Sequence, residues 1–499
     1  LITQIYQKYP ELKTIIVQLT QIPGVRVLLV GGAVRDILLG GIELKDLDLE
    51  VYGLSLAQLE TELSKFGTVI LVGQAFGVLR LAHLNIDWSL PRSDSAGRKP
   101  AVQVGPNLSL QVAFRRRDLT INAMGVNLAT GELIDLYGGQ QDLKQKVLRA
   151  VDPELFSEDP LRFFRVMSFI GRFEFQPDLI LNNLCKTMDL TKISRERIEQ
   201  EFQKLFLKAQ RPSLGIRWLQ AIGRLKDILP ELYNTVGVPQ NIKWHPEGDV
   251  FEHSMQALDA VICQLNSDNS KENNNPKSLE ITNINDSVDN FVSSAESAVI
   301  PKVSKRDLAE LRVLLCWAAI CHDLGKAVTT KSIDGLYRSF GHEVAGVELS
   351  KNLLKRVTEQ KDLLKTVPKL VLYHMRPGQY VVQKVRASTY KKLALQLAPD
   401  ASLFLLAQLS RADRAGRNGD GSQMPLKIID QDILDFIARA QLLNIVLAPE
   451  LPVLTGQDIL ALNLVATGPE LGAFLARAYD IQIMQGIKDK AVLLQKLAK

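Results

Sequence analysis

At 499 residues and 46% hydrophobic content, the chain can bury several cores, and its length predicts about three domains. A formal net charge of +5 accommodates an anionic partner such as RNA without demanding one. The longest apolar runs, such as Val313 to Cys321, are too short for a membrane span, and the first residues lack the basic-then-apolar pattern of a signal peptide. A cytoplasmic protein is therefore expected, and the start at Leu1 in place of Met points to missing N-terminal residues or an unusual start. The four cysteines, Cys185, Cys263, Cys316 and Cys321, form no C-x-x-C pair and read as reduced thiols, mostly in helices.

In chain order, Tyr6 to Leu19 predicts a helix, and Val27 to Val30 a short buried strand. Gly31-Gly32 then lets the backbone approach a bound group closely as a helix opens at Ala33, and free N–H groups at a helix start suit a phosphate. The helix is expected to stop near Gly40-Gly41. On the next strand, Asp46 and Asp48 are two residues apart and share a face. Two adjacent carboxylates repel unless a divalent cation lies between them, and oxygen ligation bridging to substrate phosphates is the habit of Mg²⁺.

The stretch GGAVRD…DLDLEV resembles the signature of the nucleotidyltransferase superfamily that includes DNA polymerase β. In detail it resembles the class II tRNA nucleotidyltransferases and bacterial poly(A) polymerases. The resemblance implies an α+β protein: a polymerase-β-like head with a small mixed sheet, then an all-helical neck. By it, Asp46 and Asp48 hold Mg²⁺ while Gly31, Gly32 and Arg35 hold the triphosphate of CTP or ATP.

Further along the head, a helix is expected around Leu56 to Lys65, then strands at Val69–Leu71, Val78–Leu81 and Leu84–Leu90. Asp87 lies between Ile86 and Trp88. The setting alone fits an outward-facing polar residue, and the superfamily resemblance makes Asp87 the third catalytic carboxylate. Arg92 to Ser109 reads as a mobile loop. AFRRRDLTINAM, Ala113 to Met124, resembles the family's RRDFTxNA motif with Leu119 replacing the aromatic, which implies that Arg117 and Asp118 face the ribose and Asn122 supports the site. DLYGGQQD, Asp135 to Asp142, resembles the flexible joint closing a head of residues 1–150.

A neck of residues 151–240 carries SEDPLRFFRVMSFIGR, in which Pro160 suits a first helical position and Asp159 its N-cap. Arg162 and Arg165 follow at helical spacing. An Asp that accepts and an Arg that donates can together read the edge of a base. The pattern resembles the family's EDxxR motif, implying that Asp159 and Arg162 select CTP and ATP, supported by Glu158 and Arg165. ISRERIEQEFQKLF, Ile193 to Phe206, is an amphipathic helix with Ser194 as its cap.

Five of the six histidines fall within 241–420, His83 being the exception. They stand in HPEGDVFEH, CHDLGK, FGHEVAG and LYHMRP, with Asp413 following. Helices in a bundle can converge such groups on a cation. The motifs resemble an HD phosphohydrolase domain fused to some bacterial tRNA nucleotidyltransferases, which implies His253, His322, Asp323 and Asp413 as ligands of a divalent metal of unassigned identity. His342 and His374 would complete a second metal position or contact phosphate, and His245 would shape the start of its helix. The chemistry implied is water attack on a phosphomonoester or a 2′,3′-cyclic phosphate. Residues 266–305, rich in Asn, Ser, Asp and Lys, read as a disordered insertion.

Ile428 to Ile445 predicts a helix, and Leu454 to Lys499 two or three more. In this tail, 421–499, LTGQDILALNL followed by GPELGAFL resembles the tail motif of class II enzymes, which implies a contact with tRNA. The expected activity is template-free addition or repair of the tRNA 3′-terminal CCA, with a second, phosphohydrolase site. A CC- or A-adding specialist and a poly(A) polymerase share the same motifs, and a phosphohydrolase with an RNA-binding head is disfavoured by the intact Asp46-Asp48 pair.

Overall fold

The structure, a computed structural model of the chain, describes residues 2–41, 47–72, 77–94, 102–272, 305–419, 430–462 and 464–498. It divides into two compact units, Leu1–Phe202 and Gln203–Lys499, each described by itself below.

The first unit opens on two helices, Ile2–Lys8 and Pro10–Thr20, where one helix is expected. Pro10 is the reason: its ring suits a first helical turn and cannot sit inside a continuous helix. A mixed sheet of seven strands follows. Its strands are β1 (Arg26–Val30), β2 (Leu47–Tyr52), β3 (Val69–Val72), β4 (Val78–Leu81) and β5 (Ile86–Ser89). After a separate antiparallel pair, β6 (Arg92–Asp94) with β7 (Val102–Val104), come β8 (Met124–Asn127) and β9 (Leu133–Asp135). The order is β3-β4-β5-β2-β1-β8-β9, with β2 and β5 parallel and the other neighbours antiparallel. Leu28, Val30 and Tyr52 from the sheet bury against Ala113 and Phe114.

The pairing of β6 with β7 corrects the expectation of a loop throughout Arg92–Ser109. Within the Asp135–Asp142 segment, Asp135 accepts from the N–H groups of Gly139 and Gln140 at 2.8 and 2.9 Å at the start of the helix Gly139–Gln145. The helix Leu161–Phe173 then buries Phe163, Phe164, Val166 and Met167. Its start is one residue later than expected, with Pro160 as the cap.

In the second unit, helices carry nearly all the residues that matter. Val250–Glu272 packs against Lys305–Cys321 and Leu403–Ala415, and His342–Val357 against Lys361–Tyr373. The first of these helices continues through Glu272 into the stretch expected to be disordered, and residues 273–304 lie outside the described residues. A two-stranded hairpin that sequence reasoning missed, Lys331–Ile333 with Leu336–Arg338, turns at Asp334-Gly335. The signal was present, since Asp-Gly supplies the two positive φ values such a turn needs, here 52° and 76°. The tail forms Gln431–Leu442, Gly456–Ala461, Pro469–Gln485 and Lys490–Leu497. Among the described residues no helix is long and apolar enough to cross a membrane.

Candidate functional site

In the first unit, sheet register assembles one candidate site. Asp48 on β2 is the direct partner of Asp87 on the parallel β5, so the two carboxylates stand side by side on one face. On the far side of Asp87, Arg80 of β4 is its register partner and donates to Asp87 Oδ1 through Nε at 2.7 Å. On the far side of Asp48 lies Val30, the last residue before the Gly31 turn. Asp46 lies outside the described residues. Glu50, missed in the sequence, is two residues past Asp48 and therefore on its face; it is buried and takes the Arg117 Nη2 at 2.7 Å and the Tyr52 hydroxyl at 3.0 Å.

The glycine turn is under close constraint. Gly31 has φ of 76°, and a Cβ there would meet Arg117 Nη1 at 2.9 Å, so a side chain would displace the guanidinium laid over the turn. Arg117 is thus placed beside the expected phosphate position. Arg35 also reaches the turn, its Nη2 3.3 Å from where a Gly32 Cβ would stand, but it is buried, covered by Phe173 and Phe169 with its Cζ 4.7 and 5.2 Å from their ring centroids. Its Nη1 donates to Asn122 Oδ1 and its Nε to Asp36 Oδ1 at 2.8 Å.

That arginine is one member of a connected polar chain. Asn122 Nδ2 donates to Asp118 Oδ1 at 2.9 Å, and Arg165 Nη2 lies 3.0 Å from Asp118 Oδ2. Arg172 Nη2 donates to Asp36 Oδ2 at 2.9 Å. Burial alone would raise the Asp118 carboxyl, but the Arg165 charge, the Asn122 amide and the Leu119 N–H hold it below the usual carboxylate range. Gly32, Arg35, Asp118, Asn122 and Arg165 are brought together in this way, by contacts spanning the glycine turn, the segment after Arg117 and the helix Leu161–Phe173.

Asp159 and Arg162 sit at the first turn of that helix. Asp159 is partly exposed and accepts from the Leu161 N–H at 3.1 Å, with Arg197 Nη2 at 3.6 Å. Arg162 donates to two backbone carbonyls, Leu155 O at 2.9 Å and Arg116 O at 2.6 Å.

The second unit gathers the histidines. Nε2 of His253 lies 3.1 Å from Nε2 of His322, and Nε2 of His342 lies 3.3 Å from Nε2 of His374. The other ring nitrogens are taken: Nδ1 of His322, His342 and His374 meets the carbonyls of Ala319, Ser339 and Val371 at 2.8, 2.7 and 2.6 Å. Nδ1 of His253 faces Glu247 Oε1 at 2.7 Å. An imidazole that donates through Nδ1 presents a lone pair at Nε2, and two such lone pairs at these distances repel unless a proton or cation separates them.

Asp323 divides its oxygens between the two histidine pairs. Oδ2 is 3.3 Å from His322 and 3.6 Å from His253, whereas Oδ1 is 3.4 Å from His342 and 3.8 Å from His374. Asp413 Oδ1 adds a further ligand atom 3.1 Å from His253. Two buried groups with metal-ligand spacing result, His253–His322–Asp323 and Asp323–His342–His374, sharing one carboxylate. The donor set fits divalent cations with mixed N/O preference.

Electrostatics agree with that reading. Burial pulls His253 down, yet its bonds to Asp413 and Glu247 carry it up to about 9, the carboxylates around the ring favouring positive charge there. Burial drives His374 down to about 3. Against burial, Lys326 and His322 hold Asp323 well below the usual range, and Arg417 and His253 do the same for Asp413. Sequence reasoning missed Glu247 and Lys326, the latter 2.7 Å from Asp323 Oδ2. Both were in view within HPEGDVFEH and CHDLGK.

The glycines of two motifs explain the close approach. A Cβ on Gly325 would lie 1.9 Å from His342 O, and one on Gly346 would lie 3.6 Å from Gly325 N and 2.9 Å from Val371 Cγ1. Only glycine at 325 lets the His-Asp turn seat on the helix that carries His342.

Fold and sites together define a nucleotidyltransferase of the poly(A) polymerase type joined to an HD domain. Residues 27–149 match the Poly A polymerase head domain family, and residues 295–414 match the HD domain family. The multifunctional CCA protein of Pasteurella multocida is 34% identical over 343 residues, covering 66% of this chain and 69% of the relative. That of Haemophilus influenzae is 33% identical over 66% of this chain and 70% of the relative. The chain belongs to the multifunctional CCA protein family. In fold, it is similar to a CCA-adding enzyme in apo form II, with a TM-score of 0.61 at 17% identity, covering 98% of this chain and 95% of that one. The Bacillus stearothermophilus CCA-adding enzyme in complex with CTP gives 0.57 at 17% identity, with 98% and 97% covered.

Proposed function

We propose that the first unit adds or repairs the 3′-terminal CCA of tRNA from CTP and ATP without a nucleic-acid template, and that the second hydrolyses phosphoesters. The observation that carries the first part is the Asp48–Asp87 register beside the Gly31 turn with Arg117 over it. The assignments of function to parts are a head of residues 1–150, a neck 151–240, an HD domain 241–420 and a tRNA-contacting tail 421–499, all acting in the cytoplasm.

In the head, Asp46 and Asp48 would hold Mg²⁺, which supplies charge neutralisation at the triphosphate and lowers the cost of ionising the attacking hydroxyl. The tRNA 3′-oxygen forms a bond to the α-phosphorus as the bond to the bridging oxygen breaks and pyrophosphate leaves. Asp87, held by Arg80 beside Asp48, would take the hydroxyl proton. Arg117 beside the Gly31 turn binds the triphosphate electrostatically, while Asp118, Asn122 and Arg165 fix the wall on which the ribose rests. Gly31 and Gly32 admit the phosphates, and Arg35 stiffens the turn through Asn122 and Asp36. Asp159 and Arg162 choose the base by hydrogen bonding to its edge.

In the second unit, His253, His322, Asp323 and Asp413 would hold one divalent cation, and His342 and His374 a second sharing Asp323. A cation there supplies Lewis acidity toward a phosphoryl oxygen and an acidified water. The protein's own part is to fix the imidazole tautomers through Glu247, Ala319, Ser339 and Val371, and to place Lys326 as a cation beside Asp323.

The test is nucleotide addition by the purified chain with Mg²⁺ to tRNA transcripts ending before CCA, after the first C and after CC. Completion of all three with CTP and ATP is expected. A stop after the second C, or extension of the CC-ended transcript alone, would replace this reading with a specialist, and a long A tail with a poly(A) polymerase.

A further inference from the structure

The hairpin Lys331–Arg338 is built into the HD site at both ends and covered by nothing among the described residues of its unit. Its first strand follows Asp323 and Lys326 through the short helix Lys326–Thr329, and its second leads through Ser339 to His342. Thr330 and Ser339 close its base by a hydroxyl pair at 2.8 Å, and the Ser339 carbonyl accepts from the His342 ring. All residues from Lys331 to Arg338 are exposed, on both faces of the ribbon. A lone two-stranded ribbon has marginal stability in water, and one exposed on both faces is suited to gripping something.

Its register says what. Lys331 is the direct partner of Arg338, so two cations stand opposite one another on one face, an arrangement that is destabilising without an anion between them. The hairpin's carboxylate, Asp334, is at the far end, in the turn. Aromatic rings flank the same site. Phe340, two residues before His342, is 71% exposed with Arg338 5.9 Å from its centroid. Trp244, next to His245, whose ring meets that of His253 at 4.7 Å, is 59% exposed with Lys243 5.4 Å from its centroid. Tyr337 is exposed on the ribbon's opposite face. Exposed rings accompanied by cations are the elements of a single-stranded nucleic-acid surface, where bases stack and phosphates pair with Lys and Arg. A carboxylate of a protein partner would also answer the Lys331–Arg338 pair, but it brings no bases for the exposed rings to stack on.

We infer that the hairpin, with Phe340 and Trp244, is a clamp for the unpaired 3′-terminal nucleotides of an RNA whose end phosphoester is the substrate of the HD site. The inference rests on the phosphohydrolase reading of that site. Lys331 and Arg338 hold a backbone phosphate, and Trp244 and Phe340 stack bases, so that the terminal phosphoester reaches the histidine cluster.

The test compares two phosphomonoesters with the full chain, supplied in turn with Mg²⁺, Mn²⁺, Co²⁺ or Ni²⁺: p-nitrophenyl phosphate and a short RNA ending in a 3′-phosphate. Trp244→Ala with Phe340→Ala, and separately Lys331→Ser with Arg338→Ser, should raise KM for the RNA by about tenfold or more while leaving kcat and the small ester within about twofold. Salt should raise the RNA KM of the unmodified chain, and the double serine variant should flatten that dependence. Unchanged RNA kinetics in both variants, or proportional loss on both substrates, would overturn the clamp while leaving the phosphohydrolase standing. Absence of phosphate release from p-nitrophenyl phosphate with every metal would remove the phosphohydrolase reading itself, and the clamp with it.

Discussion

Asp48 and Arg162 illustrate how differently single residues are placed for chemistry. Asp48 is exposed on one face of the central strand β2, level with Asp87, so its substitution leaves the core intact. Asp48→Ala should lower nucleotide addition by more than about a hundredfold, the scale on which removing a charge stabiliser acts. Phosphate release by the second unit should persist, and thermal melting should be nearly unchanged. Arg162 instead spends its donors on the carbonyls of Leu155 and Arg116. If it reads the base, Arg162→Ala scrambles the choice between CTP and ATP, measured as the ratio of their kcat/KM values. Lost stability with unchanged selectivity would make it a strut. Asp118 carries a pH signature. Because its folded carboxyl is held below the unfolded value, its stabilising contribution is present above the unfolded pKa and is lost as pH falls through the folded one. Asp118→Asn should cost about 1–3 kcal/mol at neutral pH and remove that part of the acid-side decline, read from urea unfolding across pH.

Elements are held to one another by a few buried polar pairs, and these can be tested separately from the sites. In the second unit, the helix Ser213–Ala221 is tied to Val250–Glu272 by Asp259, which accepts from the Ser213 hydroxyl at 2.6 Å and its N–H at 3.0 Å. Burial raises Asp259 despite those bonds, the opposite sign to Asp118: its contribution is complete below the unfolded pKa and is lost as pH rises through the folded one. Ser213→Ala strips one donor from a buried carboxylate and should destabilise by about 1–3 kcal/mol, seen as a lower urea midpoint. The element scale is also where sequence reading went astray. Pro10 broke a helix that apolar spacing alone made continuous, and Asp334-Gly335 made a hairpin that lay unread between two histidine motifs. Arg92–Asp94 found a strand partner in Val102–Val104 that no local pattern announced, since pairing is a relation between segments.

For the whole molecule, the two-site proposal requires separable losses. His322→Ala should abolish phosphoester hydrolysis and leave nucleotide addition within about twofold, since its cluster is buried within the second unit and its removal deletes a proposed metal ligand of that unit. Joint loss of both activities from that one change would refute two independent sites. The sequence by itself determined the glycine turn, the strand carrying Asp48, the arginine-rich segment and the histidine motifs, because each is a local pattern whose chemistry is carried by neighbours in the chain. Only the tertiary structure decided that Asp48 stands beside Asp87, because strand register is set by pairing between segments far apart in the chain. It also decided that Arg35 is buried under Phe169 and Phe173, since aromatic cover comes from a distant helix. The division of Asp323 between two histidine pairs has the same origin: the ligands arrive on separate helices, and their convergence follows from how those helices pack.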